Sequence, residues 1–196
     1  MITGLSIQNF KSLARIPSEP GRLVPFGAVN ALIGPNGSGK TSLLQAIDFL
    51  RAFFQSPVDV YLQARGWAYQ DLPNQRQVRK TIRWDLEAEL DPDEGGRGGG
   101  RYRYAITLQP RRYLGIGEES LRWTGPDGRE QTLLSRRGRT VRWLDRTASS
   151  VSPESMRALR LPASVMSQFD PVADRDRFPE MLRFRKWIEG FRSYLF

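Results

Sequence analysis

Residues 34–42 read GPNGSGKTS and contain the whole phosphate-loop pattern G-x-x-x-x-G-K-[ST]. No other stretch of the chain restricts the fold as strongly, because the pattern works only where a strand turns into a helix. The flanking residues agree. Val29, Ala31, Leu32 and Ile33 predict a short buried parallel strand, and residues 42–54 predict an amphipathic helix. The glycines allow successive backbone N–H groups to turn inward around phosphate oxygens at a helix start. Lys40 supplies an ammonium for the outer phosphates and is the candidate catalytic cation. Thr41 offers a hydroxyl to Mg²⁺, a hard cation that binds through oxygen. The candidate nucleotide-binding set is thus Gly34, Pro35, Asn36, Gly37, Ser38, Gly39, Lys40, Thr41 and Ser42, with Thr41 also the candidate metal ligand.

The chain has no cysteine and no histidine, which excludes disulfides, thiolate chemistry, imidazole bases and zinc sites of the usual ligand type. Any catalysis rests on carboxylates, amides, backbone dipoles and a bound metal ion. Its 196 residues, 39% hydrophobic and 26% charged, suit one large domain or a domain with a sub-lobe, and argue against disorder. No apolar run approaches the ~20 residues of a membrane span, and MITGLSIQNF alternates instead of forming a signal block. A soluble cytoplasmic protein is expected. A net charge of +9 makes a polyanion partner plausible, although an arginine-rich composition, with lysine only at Lys11, Lys40, Lys80 and Lys186, explains the charge equally well.

Three stretches are distinguishable. The first, 1–76, is read as a nucleotide-binding half-sheet. It has an edge strand over 2–10, a strand and turn over 13–26, the phosphate loop with its helix, and a loosely defined short helix over 58–65. The second, 77–150, is read as an antiparallel β lobe. Val78, Ile82, Trp84, Leu86 and Leu90 fit one strand, Tyr102, Tyr104, Ile106 and Leu108 the next, and pairs at Leu121 and Trp123 and at Val141 and Trp143 continue the alternation. Turns are expected at 91–100, 115–117, 125–128 and 136–139. The aromatic residues sit at strand spacing and read as core more readily than as stacking platforms for bases. The third, 151–196, opens on a helix-start signal at Ser152 and Pro153. It ends in an amphipathic helix carrying Met181, Leu182, Phe184, Trp187, Ile188 and Phe191, with Arg183, Arg185, Lys186 and Arg192 between them.

The opening ITGLSIQNFKSL, the later VNALIGPNGSGKTSLLQAIDFL and the segment SVMSQFDP resemble the ABC-type ATPases that include RecF, the structural-maintenance-of-chromosomes proteins and the OLD-like family. The resemblance covers both ends of the chain. It implies an α/β fold: the N-terminal half of an ABC-type P-loop ATPase head, with an antiparallel β lobe and a helical C-terminal segment. It also implies that Gln168 is the glutamine-loop residue, catalytic and reaching Mg²⁺, and that Lys11 is a basic residue near the nucleotide. Read alone, Gln168 is an ordinary loop residue and Lys11 a solvated lysine.

Hydrolysis in that family also needs a signature loop, an apolar strand ending in Asp-Glu, and a switch histidine, and none of these occurs in the sequence. The expectation is an N-terminal fragment, a truncated product or one part of a split ATPase. Such a chain binds ATP·Mg²⁺ and awaits a C-terminal half or a second head, with DNA as a further partner through arginines such as Arg101, Arg103, Arg111, Arg112, Arg136, Arg137 and Arg139. Two other classes stay open: a non-catalytic, nucleotide-dependent binding module, and a small P-loop kinase or GTPase. Against the last, there is no Asn-Lys-x-Asp motif.

Overall fold

Period-two alternation of apolar and polar residues carries through into one antiparallel sheet in a computed structural model that describes residues 1–55, 58–110, 114–138, 140–148 and 163–191. Its strands are β1 (Ile2–Phe10), β2 (Leu13–Ile16), β3 (Val24–Pro25), β4 (Ile82–Leu90), β5 (Gly100–Pro110), β6 (Leu114–Thr124), β7 (Glu130–Arg137) and β8 (Thr140–Trp143). They lie in the order β2-β1-β4-β5-β6-β7-β8, with β3 also paired to β1. Registers such as Leu5 opposite Leu86, Ile7 opposite Trp84, and Trp84 opposite Ile106 put the apolar set on a single face.

Among the described residues three α-helices accompany the sheet: α1 (Lys40–Gln55), α2 (Val58–Ala64) and α3 (Pro179–Glu189). Phe49 of α1 stacks on Trp84 at 5.7 Å between ring centroids, and Phe10 meets the same indole edge-on at 5.5 Å. Further along, Phe54 contacts Tyr104, and Phe184 of α3 stacks on Tyr102. Trp84, Tyr102 and Tyr104 are fully buried, so these strand aromatics are core, as their spacing implied, and no base can stack on them; Trp123 is only half-buried.

Several sequence expectations need correction. The run Val29–Ile33 forms no strand; Val29 and Ile33 are each 92% exposed. A strand requires a neighbour to take up its backbone N–H and C=O groups, and among the described residues no strand runs beside this one. β1 is no edge strand either, because β4 adds to it on one side and β2 and β3 on the other. Val78 lies outside β4 and is 96% exposed. Gly115–Gly117 belong to β6 and do not form a turn. The pairing there steps from Glu118 opposite Thr107 to Ile116 opposite Leu108, so Gly117 is the extra residue of a β-bulge. A second register shift leaves Leu133 and Leu134 both buried. The 58–65 helix is present as α2, and the late amphipathic helix as α3. The helix-start signal at Ser152 and Pro153 lies outside the described residues, as does Arg192.

Asp48 fastens α1 to the segment that follows it. Its buried carboxylate accepts from Arg51 on the same helix, from the Tyr61 hydroxyl (2.9 Å) and from Arg65. Burial pushes this carboxyl up, but Tyr61 and the two guanidiniums outweigh it and hold it below the ordinary aspartate value. Replacing it by asparagine leaves two guanidiniums without their counter-charge, so Asp48→Asn is expected to cost about 1–3 kcal/mol of stability at neutral pH. Since the folded value lies below the unfolded one, wild type keeps this advantage down to about pH 4 and loses it as pH falls through the lowered folded value. Urea melts of both proteins across that range check it.

Candidate nucleotide site

α1 begins at Lys40, directly after the glycine-rich stretch, so the first-turn N–H groups that a helix cannot pair internally face the loop. No acidic side chain occupies that first turn. Gly37 and Gly39 adopt φ of 80° and 95°, the left-handed region that side chains disfavour. A Cβ at Gly39 would also stand 2.6 Å from Leu13 Cδ2, so β2 presses on the loop from behind. Lys40 Nζ donates to the carbonyls of Gly34 (2.6 Å) and Pro35 (2.7 Å), which holds the ammonium at the loop mouth. Thr41 is exposed, and Ser42 is buried with its hydroxyl 2.7 Å from that of Ser12. A row of helix-start N–H groups, one ammonium and one free hydroxyl is a donor set that fits a triphosphate with Mg²⁺.

The turn between β1 and β2 is built for this contact. Asn9 and Lys11 both have positive φ, 62° and 50°. Such backbone is strained for residues with a Cβ and persists where its surroundings fix it. Asn9 supplies the fixing: its amide donates to the carbonyls of Arg79 and Thr81, and its Oδ1 accepts from the Asn74 N–H (3.0 Å). The twist lets Phe10 enter the core, and Ser12 and Leu13 then meet the loop. Lys11 Nζ lies 2.9 Å from the centroid of the Trp67 ring. Burial lowers its pKa to about 8, with Asp71 opposing the shift and Arg65 adding to it.

Gln168 closes a short 3-10 turn, Val165–Gln168. It is exposed, and its amide donates to Ser167 Oγ (3.0 Å). The turn hangs from the far end of α1, where the Ser164 N–H donates to the Phe53 carbonyl (3.0 Å). Phe53 lies about 18 Å along the helix axis from Thr41. Among the described residues no hydrogen bond joins Gln168 to Thr41. What holds the turn is Glu119, fully buried on the helix-facing side of β6: it accepts from the Tyr104 hydroxyl (2.9 Å), the Ser164 hydroxyl (2.5 Å) and the Val165 N–H (3.1 Å). Burial drives its carboxyl pKa up, and these hydrogen bonds only partly oppose that.

The arginines expected to meet DNA divide unevenly. Arg136 is 6% exposed and donates to the Gly138 carbonyl, so it is a core residue. Arg103 pairs with Glu87 and Arg137 with Glu118, while Arg101 is exposed. Arg111, Arg112 and Arg139 lie outside the described residues. Among the described residues no helix is long and apolar enough to cross a membrane. Sequence reading missed Ser12 and Trp67 as neighbours of the candidate site, and Glu119 as a buried acid. Only Glu119 left a trace, because it breaks the apolar alternation of β6.

Comparison with known proteins places this site in a family. DNA replication and repair protein RecF of Streptomyces avermitilis is 33% identical over 118 residues, covering 59% of this chain and 29% of that protein. RecF of Edwardsiella ictaluri is 31% identical over 134 residues, 68% of this chain and 30% of that protein. An OLD nuclease of Thermus scotoductus is 40% identical over 50 residues, 26% of this chain and 8% of the nuclease. The chain thus spans less than a third of the length of these relatives. The family model described as AAA domain, putative AbiEii toxin, Type IV TA system matches residues 29–185, from the apolar run before the phosphate loop to α3. The chain belongs to that AAA domain family and is related to the RecF-like, ABC-type ATPases.

Proposed function

We propose that this chain is the ATP·Mg²⁺-binding lobe of an ABC-type ATPase that acts on DNA, and that its turnover depends on a C-terminal half or a second head. The phosphate loop carries the reading: α1 starts at Lys40, left-handed Gly37 and Gly39 open the backbone, and the Lys40 ammonium sits at the loop mouth. Lys40 neutralises the outer phosphates, the first-turn N–H groups of α1 orient them, and Thr41 holds the metal. Mg²⁺ held there would supply charge neutralisation for the phosphates. Ser12 and Leu13 keep the loop at its height by packing on Ser42 and Gly39.

The dependence on a second part is supported by the exposed run Val29–Ile33, which has the composition of a buried strand and lacks a neighbour among the described residues. It is supported also by the absence of histidine and of an apolar run ending in Asp-Glu. The action on DNA rests on the names of the RecF relatives and on the charge of +9. In this reading Lys11 belongs to the nucleotide site, and Gln168 joins it when the 3-10 turn moves toward Thr41. The same absences favour a second reading for the chain by itself, a binding module that nucleotide orders without turnover.

Lys40→Ala is expected to weaken ATP·Mg²⁺ binding by roughly 2–3 kcal/mol, about 30- to 150-fold, as a charge-assisted contact is lost. Calorimetric titration measures this, and an unchanged affinity removes the loop as the site. Lys11 reports separately. With the four lysines of the chain dimethylated with ¹³C, its NMR signal is expected to titrate near pH 8 in the free protein. Adding ADP·Mg²⁺ should move that midpoint upward, toward ordinary lysine, if phosphates come near. A midpoint that stays in place puts Lys11 outside the site.

A further inference from the structure

The connection between β4 and β5 folds down onto α3. Arg183 Nη2 donates to the Asp91 carbonyl (2.9 Å), Arg97 pairs with Asp176 (2.9 Å), and the Tyr102 hydroxyl donates to the Gly98 carbonyl (2.6 Å). Between this tip, the turn that follows Gln168 and one side of α3 lies a cavity of about 470 Å³. That volume falls within the range of small-molecule sites, about 300–1,000 Å³.

The chemistry of its walls is one-sided. Five cations, Arg97, Arg175, Arg183, Arg185 and Lys186, face two carboxylates, Asp93 and Glu189. Both carboxylates are already engaged: Asp93 accepts from the N–H groups of Gly95 and Arg97, and Glu189 from Arg185 Nε (2.7 Å). Among the described residues Arg175 and Lys186 pair with no carboxylate, and the buried Arg183 Nε has no acceptor. Cations gathered with donors to spare call for an anion, and guanidiniums favour the phosphate group. The floor is apolar, formed by Pro171, Leu182 and Val172, the last 82% exposed. A bare phosphate gains nothing from such a floor; the apolar face of a base buries area against it.

The cavity is separate from the phosphate loop. Gln55, the last residue of α1, donates to the Glu189 carbonyl at the end of α3, whereas Lys40 begins α1, about 22 Å away along that helix. We propose that this cavity binds a nucleotide unit, with its phosphate among Arg97, Arg175, Arg183 and Lys186 and its base against Pro171, Val172 and Leu182. The unit is either a free mononucleotide or one residue of a single strand.

The test uses the Lys40→Ala chain, so that the phosphate loop is silent and the outcome is independent of the ATPase reading. It is titrated with thymidine monophosphate and with a short oligothymidylate while the methyl signals of Val172 and Leu182 are followed by NMR. Both methyls are expected to shift saturably. The further change Arg175→Gln with Lys186→Gln, which removes two cations that hold no carboxylate, is expected to weaken binding at least about tenfold with an unaltered melting temperature. Tighter binding of the oligonucleotide, falling with salt at a log–log slope near −0.7 per phosphate, identifies a single strand as the source. Equal affinity for the mononucleotide identifies the free ligand. Methyls that do not move with either ligand, an affinity indifferent to the two glutamines, or equal displacement by a polyglutamate peptide would overturn the proposal.

Discussion

Phe49 lying on Trp84 is the contact on which the rest of the molecule depends. Aromatic pairs of this kind are worth about 0.5–1.5 kcal/mol beyond the area they bury. Their value here is positional: Trp84 belongs to the middle of the sheet, Phe49 to the middle of α1, and Phe10 wedges against both. Once α1 is seated, the height of its first turn over the sheet is fixed, and so is the loop that precedes it. The β1–β2 turn then closes on that loop through Ser12 and Leu13. The candidate phosphate site is thus a by-product of core packing, completed by one strained turn that buried Asn9 holds in place.

The two faces of the sheet divide the remaining labour. The inner face takes the helices, and a buried carboxylate on it, Glu119, reaches through the core to the turn at Ser164 and Val165. The outer face carries alternating charges, Arg83 with Asp85, Arg103 with Glu87, Arg122 with Glu130 and Arg137 with Glu118. Surface pairs of this sort contribute little stability, about 0–1 kcal/mol each. Within each pair the two charges cancel most of one another's field, while exposed Arg101 and Arg142 stand on the same face.

Local pattern carried most of this architecture. The alternation in β4 and β5, the helical spacing in α1 and α3 and the spacing of the glycines around Lys40 were all legible, because each depends on neighbours in sequence. What escaped depends on neighbours in space. Nothing in the string VNALI tells whether another strand lies beside it, and among the described residues none does. Nothing in NFK announces that Asn9 and Lys11 turn left-handed, since only Asn74, Arg79 and Thr81, far along the chain, make that conformation stable. The bulge at Gly117 was mistaken for a turn because a glycine marks either. The sequence likewise could not reveal that Arg136 is buried while Arg101 is exposed, as both sit on strands in a polar-looking register.

Arg185 joins two segments of the chain. One of its terminal nitrogens donates to the carbonyls of Met166 (3.0 Å) and Phe169 (2.8 Å), on either side of Gln168, and its Nε grips Glu189. A guanidinium is flat and rigid, so it cannot tilt toward an anion in the neighbouring cavity without slackening its hold on one of those oxygens. The glutamine-bearing turn and the wall of the cationic cavity therefore share a single pin, Arg185.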